Sequence, residues 1–259
     1  MSIDVDVTDG IATITINRPE RMNAMDAEHY KGLSQAWMRV RDDTAIRVAI
    51  VTGAGEKSFS AGADIKSFLT SPAGLDEMWL TQRAQLLNRG LEVWKPVIAA
   101  VNGYCLAGGM TLLLGTDIRV AAEHATFNIA EVKRGILPGN GGTQRILDQL
   151  PYAIGMELLL TGDAIDASTA QAWGLVNRVV PAAELDDAVA KFTERVVLRS
   201  ATVIALGKHA FYRQIEQDMG AAYAAAAEVM SCNLMEPDAH EGIDAFLAKR
   251  APRWKTGPE

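Results

Sequence analysis

From Pro96 to Thr116 the chain carries no charged residue, and this run constrains the fold more than any other. It is long enough to span a bilayer as one helix. Pro96, Asn102-Gly103 and Gly108-Gly109 punctuate it every few residues, however, and such residues mark turns. The run therefore reads as a buried strand, Val97 to Val101, then a turn, then an apolar helix opened by Gly108-Gly109 and continued from Met110 to Leu114. It belongs to the core.

The flanking pattern supplies the rest of an α/β arrangement. Ile11 to Asn17 reads as a strand, and Asp26 to Arg41 as a helix with Asp26 as N-cap. Arg47 to Thr52 is a buried strand ending at Gly53, and Ile118 to Ala122 is another. Leu75 to Trp94 has helical spacing. After about Pro151 the character changes. Ser168 to Trp173 reads as a short helix closed by Gly174, and Val176 to Val180 as a brief strand ending at Pro181. From Ala183 the pattern is almost wholly helical, including the alanine-rich Ala221 to Ala227. No low-complexity linker or clear repeat interrupts it. The expected division is an α/β core over residues 1–195 and a helical C-terminal region over 196–259.

Composition narrows the function. A chain of 259 residues that is 49% hydrophobic and 22% charged can bury a large core. A formal charge of −7 argues against nucleic acid or an anionic membrane as partner. Two cysteines, Cys105 and Cys232, imply no disulfide framework and fit reduced cytosolic thiols. Cys105 has no histidine near it in sequence and reads as a small packed side chain. The first ten residues hold three aspartates and no basic residue, unlike a secretory or mitochondrial leader, so a cytoplasmic protein is expected. His29, His124, His209 and His240 are scattered without metal-ligand spacing. Gly53-Ala54-Gly55-Glu56-Lys57-Ser58 lacks the glycine before the lysine of a phosphate loop, and Gly139-Asn140-Gly141-Gly142 is no dinucleotide fingerprint. No metal and no redox cofactor is expected.

Two segments carry the chemistry: Ser60-Ala61-Gly62-Ala63-Asp64-Ile65, and Asn102 to Gly109. Small residues there let a ligand oxygen approach the main chain. Two N–H groups aimed at one carbonyl oxygen make an oxyanion hole, and a helix starting at Gly108 would add its dipole. Either segment alone could be a tight turn. Together they suggest a thioester or acyl carbonyl polarised by backbone donors.

Several motifs then resemble the crotonase (enoyl-CoA hydratase/isomerase) superfamily. They are Asn17-Arg18-Pro19-Glu20-Arg21-Met22-Asn23-Ala24-Met25, Ser60 to Lys66, Lys95 to Gly103, and Phe127 to Arg145 with Gly135-Ile136-Leu137-Pro138-Gly139. Leu160-Thr161-Gly162-Asp163 and Glu241 to Arg250 complete the order, so the resemblance spans essentially the whole chain. It implies a spiral of ββα units, a helical C-terminal trimerisation region, and a homotrimer or dimer of trimers. It implies an acyl-coenzyme A thioester as ligand, with coenzyme A as part of the substrate and no separate cofactor.

The resemblance also assigns residues. The thioester oxygen would meet the N–H groups of Ala63 and Gly108, and the adenine would lie against the backbone at Ala61, with Gly62, Asp64 and Ile65 beside it. Lys249 would reach the coenzyme phosphates, in some relatives across a subunit boundary; as a residue alone it reads equally as a solvated helix charge. Hydratases of the family hold a water between two glutamates. Glu131 occupies the second position; it could otherwise be a surface carboxylate paired with Lys133 or Arg134. Thr111 occupies the first, and a threonine cannot act as general base near neutral pH. Gly139 matches a glycine whose N–H helps hold the water. A single glutamate is what the family's Δ3,Δ2-enoyl-CoA isomerases use, which tilts the expectation to isomerase-type proton transfer. Enoyl-CoA hydration, including the hydratase-lyase type, and acyl-CoA binding without turnover stay open. The acyl-pocket wall is expected from Ser67 to Leu91, with Ser71-Pro72-Ala73-Gly74 as a loop.

Overall fold

A computed structural model describes residues 2–70, 85–87, 90–215 and 217–255. The chain begins with a hairpin. β1 (Ile3–Thr8) pairs antiparallel with β2 (Ile11–Ile16). The two residues between them, Asp9 and Gly10, take φ of 51° and 77°, the geometry of a tight hairpin turn whose twist suits its strands.

From there the chain winds as a coil between two sheets. β3 (Val48–Gly53), β5 (Val97–Val101) and β7 (Ile118–Ala122) extend the first sheet in parallel, and β10 (Arg178–Val180) closes it, giving the order β1-β2-β3-β5-β7-β10. Each of these three passes also adds a three-residue strand to a second sheet: β4 (Ser58–Ser60), β6 (Tyr104–Leu106) and β8 (Thr126–Asn128). β9 (Ile165–Asp166) pairs antiparallel at the end of that sheet. The result is the spiral of ββα units expected from the resemblance.

The helices numbered here are those of the described residues: α1 (Ala27–Asp42), α2 (Ile65–Thr70), α3 (Gly108–Leu113), α4 (Gly142–Gln149), α5 (Tyr152–Thr161), α6 (Ala167–Ala172), α7 (Leu185–Val197), α8 (Ala201–Gln214), α9 (Met219–Met235) and α10 (Pro237–Leu247). Asp26 caps α1 as expected, its carboxylate accepting from the Glu28 and His29 N–H groups.

The uncharged run explains why two layers form. Every residue of β5 is buried, so it needs apolar cover on both faces. Val97, Ala99 and Val101 join the main core with Trp37, Phe59 and Leu113. Ile98 and Ala100 point the other way, into a second core closed by Leu185 and Val189 of α7. The period-2 alternation of the strand divides the side chains between them.

Polar braces fix one coil on the next. The Asn23 side chain donates to the Ala54 and Ser58 carbonyls, and Asn102 donates to Gly53 while accepting from its N–H. Arg119 is buried and gives hydrogen bonds to the carbonyls of Leu114, Thr116 and Leu175, to Thr116 Oγ1 and to Gln149. It thereby ties the C-terminal end of α3 to the following strand and to α4.

Two sequence readings need correction. The helix expected over Leu75 to Trp94 lies partly outside the described residues, and its end is not helical. Gly90 takes φ +76°, and residues 91–94 run irregularly into Lys95-Pro96. The strand expected from Val176 starts only at Arg178, because residues 173–177 are still turning out of α6. Helix α7 packs on the large sheet. Among the described residues, no helix is long and apolar enough to cross a membrane.

Candidate active site

The carbonyl-binding geometry comes from two neighbouring coils. At β4 the register with β6 slips, so that Ser58 faces Tyr104 while Ser60 faces Cys105. The extra residue turns the chain out of the sheet at Ala61. The main chain beyond is then clamped on one side. Ala61 N–H donates to Met22, Met25 N–H donates to the Gly62 carbonyl, and Asp64 N–H donates to Met25, at 2.9, 2.7 and 2.8 Å. Because alternate residues of an extended chain present their N–H groups to opposite sides, Ala63 N–H faces away from Met25. It has no acceptor among the described residues.

The second donor starts α3. Ala107, the N-cap, takes φ 48° and ψ −116°, a conformation that costs a non-glycine residue roughly 1–3 kcal/mol. Its own N–H donates to the Asn128 carbonyl, which fixes β6 to β8, and the strained turn then presents Gly108 N–H, again without an acceptor. The two segments touch. A Cβ built on Gly62 would sit 2.6 Å from Gly108 N, and one built on Gly108 would sit 3.2 Å from Ala63 N. Gly62 also has φ +87°, so both its torsion and its surroundings exclude a side chain. Ala63 and Gly108 are half-buried and therefore reachable.

Glu131 lies in a 3-10 turn, residues 130–134, directly after β8. It is buried, its Oε2 has no hydrogen-bond partner, and burial raises its pKa above the usual glutamate value against the opposing pull of its own backbone N–H and Arg134. The surface pairing with Lys133 is not formed, since Lys133 meets Asp163 at 2.6 Å. Arg134 donates to the Ala130 carbonyl instead.

Thr111 is buried on α3, with its hydroxyl donated to the Gly108 carbonyl at 3.0 Å. A Cβ on Gly142 would meet Thr111 Cγ2 at 2.8 Å, so the 138–142 turn bearing Gly139 packs on this threonine. Gly139 itself is exposed, with open space where a Cβ would stand. Asp64 is held by Arg18, which bridges it to Asp26 at 3.0 and 3.1 Å, so its carboxylate braces the loop. Ile65 is exposed at the start of α2. Lys249 is exposed and not brought to this cluster by any contact among the described residues. It sits at φ 52° after α10, where its N–H and that of Arg250 close the helix onto Phe246 and Ala245. Cys105 is fully buried and its thiol is pushed far up by desolvation, which removes it as a nucleophile.

One residue near the hole was missed in the sequence. Tyr30, on α1, places its hydroxyl 3.2 Å from the point where a Gly108 Cβ would stand. It lines a small cavity with Met25, Leu33, Leu86, Gly108, Leu112 and Asn140. Its phenol is pushed up to about 12 by burial and by the charge of Glu131. The only hint was its helical phase, one turn ahead of buried Leu33 and two ahead of buried Trp37. A larger hollow, about 260 Å³, lies at the other end of α3 between Gly115, Arg145 and Lys208. Lys208 is committed there to Asp117 at 2.7 Å. At the smaller cavity's end of α3, open N–H groups occur together with a protonated phenol that feels the charge of Glu131.

Known proteins share this architecture. Residues 6–257 match the family model described as enoyl-CoA hydratase/isomerase. The chain is 36% identical to (E)-benzylidenesuccinyl-CoA hydratase of Thauera aromatica over 98% of this chain and 99% of that protein. It is 39% identical to carnitinyl-CoA dehydratase of Salmonella typhi over 95% of each. The solved structure of an enoyl-CoA hydratase from Mycobacterium tuberculosis superposes with a TM-score of 0.90 at 35% identity, covering 98% of this chain and 99% of that one. On sequence and fold alike, the chain belongs to the enoyl-CoA hydratase/isomerase, or crotonase, family.

Proposed function

We propose that this enzyme adds water to, or removes it from, the C2–C3 bond of an acyl-coenzyme A thioester, with Glu131 as its single base. The observation that carries the reading is the buried, unpartnered Glu131 carboxyl, whose charge acts on Tyr30, the phenol that stands at the two open main-chain N–H groups. The N–H groups of Ala63 and Gly108 hold the thioester oxygen as it gains charge. In hydration, a water oxygen bonds to C3 and the C2=C3 electron pair shifts toward the thioester as an enolate. The proton released from that water passes to Glu131, which returns it to C2, and dehydration is the reverse. A carboxyl raised above its usual range is a stronger base for that transfer.

The names of the two relatives, a hydratase and a dehydratase, support this direction. Thr111 favours a second reading, isomerisation of a 3-enoyl thioester, because it supplies no second carboxylate. In either case Gly139 and Thr111 border the acyl end. Ala61, Gly62, Asp64 and Ile65 border the coenzyme, with Lys249 reaching its phosphates from another subunit. A homotrimer is supported by the exposed apolar residues of α8–α10, among them Phe211, Met219, Tyr223, Met230, Phe246 and Leu247. Sedimentation should give a multiple of three times the 27.9 kDa chain, and a single-chain mass removes the assembly.

The function is tested with crotonyl-CoA, a 3-enoyl-CoA and an aromatic enoyl-CoA on wild type and Glu131→Gln. Wild type should hydrate, and Glu131→Gln should lose about 10²–10⁴ of that rate, together with deuterium exchange at C2, while still binding thioester. Double-bond migration alone selects the isomerase. Binding without either activity selects a non-catalytic acyl-CoA binder, and full activity in Glu131→Gln rejects the mechanism.

A further inference from the structure

Tyr30 Oη and Ala63 N each lie 3.2 Å from one point, the position of a Cβ on Gly108. A phenol, a main-chain N–H and the segment bearing a second N–H thus close on the same small volume. The Tyr30 hydroxyl makes no hydrogen bond among the described residues. Glu131 Oε2 makes none either. The wall behind the phenol is apolar, formed by Met25, Leu33, Leu86 and Leu112. The hydroxyl is thus open at the cavity and free to donate to a ligand acceptor, against an otherwise apolar wall.

We propose that Tyr30 is the third hydrogen-bond donor to the thioester oxygen, completing with Ala63 and Gly108 an oxyanion hole of two amides and one phenol. The proposal rests on the oxyanion-hole reading above and adds to it a side chain that neither acyl-CoA binding nor family membership requires. Burial and the charge of Glu131 make ionising the phenol unfavourable, so the group stays protonated and acts as donor. Its donated bond strengthens as negative charge gathers on the oxygen in the enolate, and so it acts on the rate more than on substrate affinity. It exchanges no proton with C2 or C3, which leaves Glu131 as the group that does. The side chain reaches the hole from α1, outside both segments that bear the amides. This places a tunable group where the backbone is not.

The test compares wild type and Tyr30→Phe as full chains. kcat should fall roughly 10²-fold with KM within about threefold, the pattern of a donor used mainly in the transition state. Binding of an acyl-CoA thioester is then measured against a matched thioether in which a methylene replaces the carbonyl. Tyr30→Phe should lower the thioester-to-thioether affinity ratio and leave thioether binding unchanged. The ultraviolet band of a bound aromatic enoyl thioester should also shift less to the red in the variant, because its carbonyl is less polarised. Unchanged kcat, or equal losses for thioester and thioether, overturns the third donor and leaves Tyr30 as packing. If wild type itself binds both ligands alike, the whole hole fails, and that result is distinguishable because it appears without any substitution. Should Tyr30→Phe not fold, 3-fluorotyrosine at position 30 keeps the shape and makes the hydroxyl a stronger donor. An unaltered rate and spectral shift there overturns the proposal equally.

Discussion

Glu131 shows how one residue can be legible in the sequence for its chemistry and illegible for its energetics. Its place in the motif pointed to a base, but only the fold reveals that no cation among the described residues pairs with it. A carboxyl whose folded pKa is raised costs stability when it ionises. That cost is absent below the unfolded glutamate value, builds as pH rises through it, and is complete above the raised folded value. Glu131→Gln should therefore melt at a higher temperature than wild type near neutral pH and at the same temperature in acid. Calorimetry at both pH values checks this; a constant difference at all pH values means that packing, and not ionisation, separates the two. The activity of wild type should fall as pH drops through the same raised value, since the base is lost there.

Among the elements, long apolar strands and capped helices were readable, and short ones were not. Val97 to Val101 appears as a strand with the bounds expected, and α1 begins at its Asp26 cap. β4, β6 and β8 escaped because three residues give no period to detect; they are strands only because the neighbouring coil pairs with them. β1 escaped for a different reason. Its Asp9-Gly10 turn is a strong hairpin signal, but Asp4 and Asp6 interrupt the apolar pattern of the strand before it. The strained N-cap Ala107 has no sequence signature at all, since nothing in a Leu-Ala-Gly run announces φ 48°. Helix α3, which carries Gly108 and Thr111, depends on Arg119 for its far end. Replacing Arg119 with methionine fills the space but removes the guanidinium donor to the Thr116 and Leu175 carbonyls and to Gln149 Oε1, while Leu114 keeps its bond from Gln149 Nε2. The expected loss is about 3 kcal/mol, or a fall in Tm of roughly 6–12 °C for a domain of this size. Thermal unfolding measures it, and a change under 2 °C would mean that water replaces the guanidinium without penalty.

At the scale of the whole molecule, the winding of the chain decides when activity can exist. Ala63 leaves one coil and Gly108 the next, and the parallel strands between them cannot pair until the intervening chain has crossed over. Neither half of the hole is a local structure. During refolding from denaturant, the C-terminal helices need only near neighbours in sequence, whereas the hole needs two coils in register and contacts of long sequence separation. Helical circular dichroism should return first and turnover last, with a measurable interval between them. Activity in this protein is thus a clock for the docking of one coil upon another, and any substitution at the seam, such as at Asn23 or Asn102, should lengthen the wait before it changes the destination.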